Sequence, residues 1–181
     1  MLELSLALRI KKQLMKISFV KKSAVLALVS IALFSFRMIA PANFSGTWSL
    51  NEGKSDLGQF GARGVATKIV VDQKTDAVTI TRSSTSFQGE PVTLTETLAE
   101  GKEVSGNWVG TSKRKATLKW AADQQSFTIS SVITFEMNGN SFDLKGTEVW
   151  TVSTDGKALT LANTVTTPQG EFSIKALYDK Q

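Results

Sequence analysis

The chain of 181 residues contains neither cysteine nor histidine. Without cysteine it has no disulfide, no thiolate metal ligand and no cysteine nucleophile. Without histidine it has no imidazole ligand and no member of a serine–histidine–aspartate triad. A calcium-binding loop pattern is missing as well, so we expect no metal and no cofactor. These absences exclude many classes of enzyme mechanism and favour a binding or structural function.

The positive charge of the chain is concentrated at its start. Overall, 21 Lys and Arg stand against 16 Asp and Glu, a formal net charge of +5. Residues 1–42 hold seven of these cations and one anion, which leaves 14 cations and 15 anions for residues 43–181. The basic balance therefore belongs to the first 42 residues, and we expect no nucleic-acid partner for the remainder.

Residues 1–42 have the pattern of a secretory signal peptide. Lys16, Lys21 and Lys22 form a positive region, and residues 23–36 form an apolar stretch of 14 residues. Ala40-Pro41-Ala42 then supplies the small-x-small pattern that a signal peptidase accepts. The apolar stretch is shorter than the roughly 20 residues of a membrane span. We predict cleavage after Ala42 and no stable membrane insertion afterwards, with an uncleaved N-terminal anchor as the alternative.

The predicted compartment is outside the cytoplasm, either secreted or periplasmic. Met15 directly precedes the positive region, so residues 1–14 are interpreted as an over-long gene start. Because the chain has no cysteine, it has no lipid anchor of the bacterial lipoprotein type. The expected organisation is a leader over residues 1–42 and one domain over residues 43–181.

Residues 43–181 alternate apolar and polar side chains in short runs typical of β-strands. Ten such runs can be marked: 44–50, 68–72, 78–81, 92–98, 104–109, 116–120, 127–137, 142–152, 159–165 and 172–178. Most connections have hairpin length, and Asn138-Gly139 and Asp155-Gly156 suit turns with positive φ. Successive hairpins predict an all-β fold, an antiparallel up-and-down β-barrel of about 8–10 strands. A sandwich of the same strands is the alternative.

One connection, residues 51–66, is long, polar and rich in glycine. It lacks the Lys-Ser/Thr ending of a phosphate-binding loop, and no helical pattern follows it. We expect this segment to form a lid over one end of the barrel, with Phe60 as an apolar plug and Arg63 in the same loop.

Strand alternation identifies candidates for the barrel interior, because side chains two positions apart share a face. The aromatic candidates for a ligand-lining role are Trp108, Trp120, Phe135, Trp150 and Tyr178. A barrel of eight strands is almost filled by its own side chains, whereas ten strands leave more room. The pattern favours a cavity, and a solid aromatic core is the alternative.

Three charged residues share the inward parity: Glu96, Arg114 and Glu148. A charge in an apolar interior is costly unless it is paired. A ligand head group or a solvated interior accounts for all three, whereas a β-bulge that reverses the parity would place the glutamates outside. Two carboxylates in a cleft also permit glycoside hydrolysis, which is the enzymatic alternative.

Gly46-Thr47-Trp48 opens the first run and resembles the Gly-x-Trp signature of lipocalins and related calycin barrels. Together with residues 54–56 and 155–160, it is similar to small exported bacterial lipocalin-like proteins. The resemblance implies that Gly46 and Trp48 lie at the closed end of the barrel. It also implies a basic side chain from the last strand across the Trp, a role for which Lys180 has the right parity and Lys175 does not.

The resemblance further implies a function. We expect an exported, non-catalytic barrel that binds a small apolar or amphipathic molecule in its interior. The alternative is a structural or interaction module of the cell envelope, with a filled core and no small-molecule ligand.

Overall fold

The computed structural model describes residues 40–86, 88–137, 139–167 and 170–181, so all but residues 40–42 of the leader expected over residues 1–42 lies outside the described residues. Within these ranges the strands are β1 (Gly46–Leu50), β2 (Lys68–Gln73), β3 (Val78–Thr85), β4 (Pro91–Leu98), β5 (Glu103–Asn107), β6 (Lys113–Trp120), β7 (Ser126–Met137), β8 (Asn140–Val152), β9 (Ala158–Thr167) and β10 (Gly170–Lys180). Two 3₁₀ segments, η1 (Glu52–Lys54) and η2 (Gly58–Gly64), connect β1 to β2. None of the described helical segments has the length and apolar character needed to cross a membrane.

All ten strands belong to one antiparallel sheet in the order β4-β3-β2-β1-β10-β9-β8-β7-β6-β5. The first and last strands pair directly, with Trp48 opposite Lys180, and this pairing curls the sheet into a barrel. Between β4 and β5, both fully described, no ladder forms, and Glu100 makes only an isolated bridge to Leu118. The barrel is therefore nearly closed, with one seam between β4 and β5. The predicted antiparallel barrel is confirmed, and the sandwich alternative is wrong.

The meander gives the barrel two different ends. At the lower end the chain enters through residues 42–45, and the short turns 74–77, 99–102, 121–125 and 153–157 follow. At the upper end lie the 51–67 connection with η1 and η2 and the turn at 108–112. Inward side chains at the two ends differ in chemistry, and that difference positions the candidate site.

The lower half of the interior is filled by aromatic and aliphatic side chains. Phe127 packs against Phe44, with ring centroids 4.6 Å apart, and stacks on Trp150 at 5.4 Å. Trp120 meets the edge of Phe127 at 5.1 Å. Phe44, Trp48, Phe127 and Trp150 are fully buried. Burial of such large apolar surfaces is the main favourable contribution to folding at this end.

The Gly-x-Trp segment closes the lower end. The Trp48 indole Nε1 donates to the Phe44 carbonyl at 3.0 Å, and the Lys180 ammonium lies 5.1 Å from the Trp48 ring centroid. Gly46 has φ +141°, and a Cβ at this position would lie 2.8 Å from Cε of Lys180. Glycine is therefore required twice, by its backbone conformation and by the lysine that crosses it.

Several strand boundaries differ from the sequence prediction, and three of them concern strands that border the candidate site. β3 continues to Thr85 rather than residue 81, because its ladder with β4 runs on to Pro91. β6 begins at Lys113 rather than residue 116. The predicted run 104–109 is wrong at its end: β5 stops at Asn107, and Trp108 lies in the turn to β6.

The turn at 108–112 explains why β5 is short. The Trp108 amide donates to the Ser112 carbonyl at 2.9 Å, and the Ser112 hydroxyl donates back to the Val109 carbonyl at 2.5 Å. Gly110 takes φ +63°, a conformation that glycine adopts without steric cost. The indole of Trp108 is thereby held over the upper end of the seam rather than within a strand.

Candidate functional site

Four charged side chains form one layer inside the barrel, just above the aromatic core. They are Arg82 on β3, Glu96 on β4, Arg114 on β6 and Glu148 on β8, here called the charge cluster. Arg82, Arg114 and Glu148 are 8%, 4% and 8% exposed, and the Glu96 side chain is 12% exposed. Strand alternation predicted the inward position of Glu96, Arg114 and Glu148, and the bulge alternative is wrong.

Each carboxylate of the charge cluster contacts both arginines. Arg82 donates through Nη1 to Glu96 and through Nη2 to Glu148, the latter at 2.8 Å. Arg114 donates through Nη1 to both oxygens of Glu96 and through Nη2 to Glu148 at 2.9 Å. Two positive and two negative charges thus neutralise one another. Charge-assisted bonds of this kind offset the desolvation that burial imposes on every member.

The pKa shifts of Glu148 and Arg82 both favour the charged form of the group. Burial opposes the charged form of Glu148, yet the arginines Arg82 and Arg114 outweigh it and hold the Glu148 pKa below its ordinary value. Burial likewise opposes the charged form of Arg82, but Glu148 and Glu96 outweigh it and raise the Arg82 pKa. The indole Nε1 of Trp150 also donates to Glu148 at 3.0 Å and favours the carboxylate.

Two tryptophans cover the guanidinium groups. The Arg114 guanidinium carbon lies 4.3 Å from the Trp108 ring centroid, and that of Arg82 lies 5.3 Å from the Trp150 centroid. Guanidinium groups stack favourably on indole faces. The Trp108 and Trp150 rings therefore lie against the guanidinium groups of the cluster.

Three buried polar atoms at or near this layer have no hydrogen-bond partner among the described residues: Arg114 Nε, Asn163 Oδ1 and Tyr178 OH. Asn163 lies directly opposite Glu148 across the β8–β9 ladder. Burial raises the pKa of the Tyr178 hydroxyl, with a smaller contribution from Glu148, while Arg82 acts in the opposite direction. Buried polar groups are nearly always hydrogen-bonded, so these three atoms are available to a water molecule or to a ligand.

A cavity of about 210 Å³, the upper cavity, lies directly above the charge cluster. Its polar wall is formed by Arg82, Glu148 and Asn163, and its remaining wall is mainly apolar. The apolar and lid residues in this wall include Val65, Ala66, Leu94, Trp108, Leu161 and Ile174.

A second space of about 300 Å³, the seam cleft, opens through the wall between β4 and β5. Glu96, Arg114 and Trp108 line it from the interior side, and Val104 lines it from β5. Leu94 and Trp108 border both the seam cleft and the upper cavity. The charge cluster is therefore reached from the upper end and from the side.

The 51–66 connection borders the upper cavity, as the lid prediction requires. Arg63 is exposed and lines the cavity together with the buried Val65 and Ala66. The connection is pinned to β10 by paired backbone hydrogen bonds between Asp56 and Lys175, at 2.8 and 2.7 Å. The side chain of Phe60, the predicted plug, lies outside the described part of the structure.

The structure separates the remaining aromatic candidates. Trp108 borders both spaces, and Trp150 lies under the charge cluster as part of the filled core. Trp120 lies at the lower end against Phe44 and Phe127, and it does not line the upper cavity. Phe135 stacks on Phe142 at 5.5 Å, on the outer part of the β7–β8 hairpin. Neither Trp120 nor Phe135 lines the upper cavity or the seam cleft, and a ligand-lining role for these two residues stays a prediction.

Sequence reasoning missed one member of the charge cluster, Arg82. The signal was present, since Arg82 has the same parity as the buried Val78 and Ile80 on β3. The polar pair Ser83-Ser84 made the segment resemble a loop, and the predicted strand ended one residue before Arg82. Asn163 has inward parity, but parity alone does not predict that its side-chain oxygen lacks a hydrogen-bond partner, because that depends on the surrounding packing.

A further depression of about 500 Å³ lies at the lower end and differs in character from the upper cavity. It runs between the turns 74–77 and 99–102, with Trp120 at its edge. Its charged residues are all exposed, so it lacks the buried polar groups that distinguish the upper cavity.

The ten-strand meander, in which β1 pairs with β10 and Trp48 fills the lower end, is a nearly closed antiparallel β-barrel. Among solved structures, the chain is similar to zebrafish ileal bile acid-binding protein complexed with cholic acid, with a TM-score of 0.51 and 18% identity over 76% of this chain and 98% of that chain. It is also similar to a Schistosoma mansoni fatty acid binding protein in complex with arachidonic acid, with a TM-score of 0.49 and 17% identity over 76% and 96%. The similarity to the bile acid-binding protein shows a shared fold and nothing further. No family model and no curated protein matches the chain.

Proposed function

We propose that this protein is an exported, non-catalytic barrel that binds a small amphipathic molecule in the upper half of its interior. The observation that carries the proposal is the upper cavity, in which apolar walls end on buried polar side chains. Leu161 and Ile174 supply apolar surface, while Asn163 supplies an unpaired oxygen. Small-molecule sites are typically concave and apolar with a few placed polar groups.

The fold supports the same function. The bile acid-binding protein of the same fold is complexed with cholic acid, a molecule with an apolar skeleton and polar substituents. A barrel fold alone does not confer a function, so the argument for this chain depends on its own cavity.

The glutamates support a binding role over hydrolysis. A general acid in glycoside cleavage needs a carboxyl group whose pKa is raised. Glu148 has a lowered pKa and its two oxygens are held by Arg82 and Arg114. A carboxylate fixed in this way is poorly suited to deliver a proton.

Export rests on the first 42 residues alone. The positive stretch, the 14 apolar residues and Ala40-Pro41-Ala42 form a complete secretory signal pattern. On this proposal the folded domain works outside the cytoplasm.

Native mass spectrometry tests both parts of the proposal. The full chain is expressed with its own leader in a bacterium, and protein is recovered from the periplasm and the medium. We expect a mature N-terminus at Asn43 and a reproducible extra mass that disappears on organic extraction. Retention of the whole product in the cytoplasm would contradict export. A bare polypeptide mass that takes up nothing from a lipid extract would favour a module with a filled core acting through its surface.

A further inference from the structure

The charge cluster bears on what kind of head group the cavity accepts. Its two arginines and two glutamates sum to zero charge, and every carboxylate oxygen already accepts from a guanidinium. Among the described residues, Arg82 and Arg114 are the cations that reach this layer. An anionic ligand therefore meets no buried cation that lacks a partner.

A carboxylate that paired with the Nη groups of Arg82 or Arg114 would have to displace Glu96 or Glu148 from them. The displaced glutamate would remain in a largely buried layer without its partner, which is strongly unfavourable. Arg63 offers another cation at the cavity rim, but it is exposed, and water and salt weaken its attraction for an anion. Two arginines without partners would attract a carboxylate, but in this site both are already paired with glutamates, so binding of a carboxylate is unfavourable.

A hydroxyl group fits the same layer without displacing anything. Asn163 lines the upper cavity and its buried Oδ1 is an acceptor without a partner among the described residues, while Arg114 lines the seam cleft and its buried Nε is a donor without one. A hydroxyl donates one hydrogen bond and accepts others, so it can satisfy a buried carbonyl oxygen of this kind. It also carries no charge that would need a counter-ion.

We infer that the polar group of the ligand is an uncharged hydroxyl that donates to Asn163, and that the charge cluster excludes carboxylates. This inference rests on the proposed function, because it assigns the head group of the molecule bound in the upper cavity. Leu94, Leu161 and Ile174 then hold the apolar part of the ligand.

A matched pair of probes tests the inference on the protein recovered from the export experiment and stripped of lipid on a hydrophobic resin. Isothermal titration at pH 7.5 compares 1-octanol with octanoate, which share a chain length and differ in head-group charge. We expect octanol to bind at least tenfold more tightly than octanoate. Octanoate binding equal to or tighter than octanol overturns the inference, while the proposed function stands.

A charge-changing variant sharpens the test. Glu96→Gln keeps the shape and a hydrogen-bond acceptor but leaves the cluster with one uncompensated positive charge. We expect the ratio of octanoate affinity to octanol affinity to rise at least tenfold. Glu103→Gln is the matched control, because Glu103 lies on the neighbouring β5, is exposed and pairs only with the exposed Lys115. An unchanged ratio in Glu96→Gln, with the fold intact by circular dichroism, contradicts the exclusion mechanism.

Asn163→Leu provides the second variant and does not disturb the charges. We expect octanol affinity to fall about tenfold, because the apolar side chain cannot accept the hydroxyl proton. If neither probe binds the wild type but an endogenous ligand is found, its head group decides: a hydroxyl supports the inference and a carboxylate overturns it. If neither probe binds and no ligand is found, the proposed function itself fails.

Discussion

The two halves of this barrel share the same strands, but apolar packing fills the lower half and buried ion pairs line the upper half. On β8, Trp150 is fully buried in the aromatic core, and Glu148, two residues earlier, belongs to the charge cluster. On β3, Ile80 is buried at the same level as the core and Arg82 follows it into the cluster. Two consecutive inward-facing residues on one strand therefore belong to different parts of the interior: the first packs in the apolar core and the next forms ion pairs.

The difference separates stability from binding. The lower half buries apolar surface without unmet polar groups, which stabilises the fold. The upper half holds charges whose burial contributes little net stability even when every partner is present. Substitutions in the lower half and in the upper half should consequently differ in how much they lower the free energy of unfolding. They should also differ in whether they change ligand affinity.

The largest effect is expected from Arg114→Met, which leaves two glutamates sharing Arg82 alone. An uncompensated buried charge typically costs about 3–5 kcal/mol of unfolding free energy. Urea denaturation monitored by circular dichroism measures the loss. Lys119→Met on the same strand is the control, since Lys119 is exposed and its replacement should be nearly neutral. Equal midpoints for the two variants would mean that the cluster adds no constraint to the fold.

A pH titration removes one charge of the same cluster without mutation. Because the Glu148 pKa is lower in the folded than in the unfolded chain, its stabilising contribution is present above the ordinary value of 4.5 and is lost as pH falls through the folded value. We expect the free energy of unfolding to decrease in that acid range. Glu148→Gln should show a shallower acid dependence than wild type over the same range. Parallel curves for both proteins would argue against a coupled Glu148.

A packing variant probes the lower half. Phe127→Leu removes ring contacts to Phe44 and Trp150 while retaining an apolar side chain. We expect a loss of about 1–1.5 kcal/mol in unfolding free energy, because volume-reducing apolar exchanges in a core usually cost that much. Octanol affinity should remain within twofold, since Phe127 does not line the upper cavity. A tenfold loss of affinity would show that the two halves are coupled.

The sequence predicted the lower half more completely than the upper half. Alternation and the Gly-x-Trp segment were sufficient to place Trp48, Phe127 and Trp150 in the core, because an apolar side chain only has to face inward. The charge cluster requires knowledge of which strands meet across the interior. Arg114 pairs with Glu96 across the seam, where no ladder fixes a register, so parity alone does not predict the pair.

The upper cavity and the seam cleft could not be predicted from the sequence for a related reason. A count of strands favoured a cavity, but its position depends on how the turn at Trp108 and the lid close over the upper end. Trp120 and Trp108 both had an inward parity, yet Trp120 packs in the aromatic core and Trp108 borders the upper cavity. Side-chain volume and turn geometry, rather than alternation, decide between those outcomes.

The smallest effect concerns the lysine that closes the lower end. Lys180→Met keeps the apolar stem over Gly46 and removes the ammonium that lies 5.1 Å from the Trp48 ring centroid. Lys180 is exposed, so the cation–π contribution should be about 0.5–1 kcal/mol of unfolding free energy. Lys175→Met, on the same strand but with the opposite parity, is the control and should leave the urea midpoint nearly unchanged. Because Lys180 lies far below the charge cluster, octanol affinity should be the same in both variants. Equal stability of the two variants would mean that the Trp48 plug needs the lysine stem and not its charge.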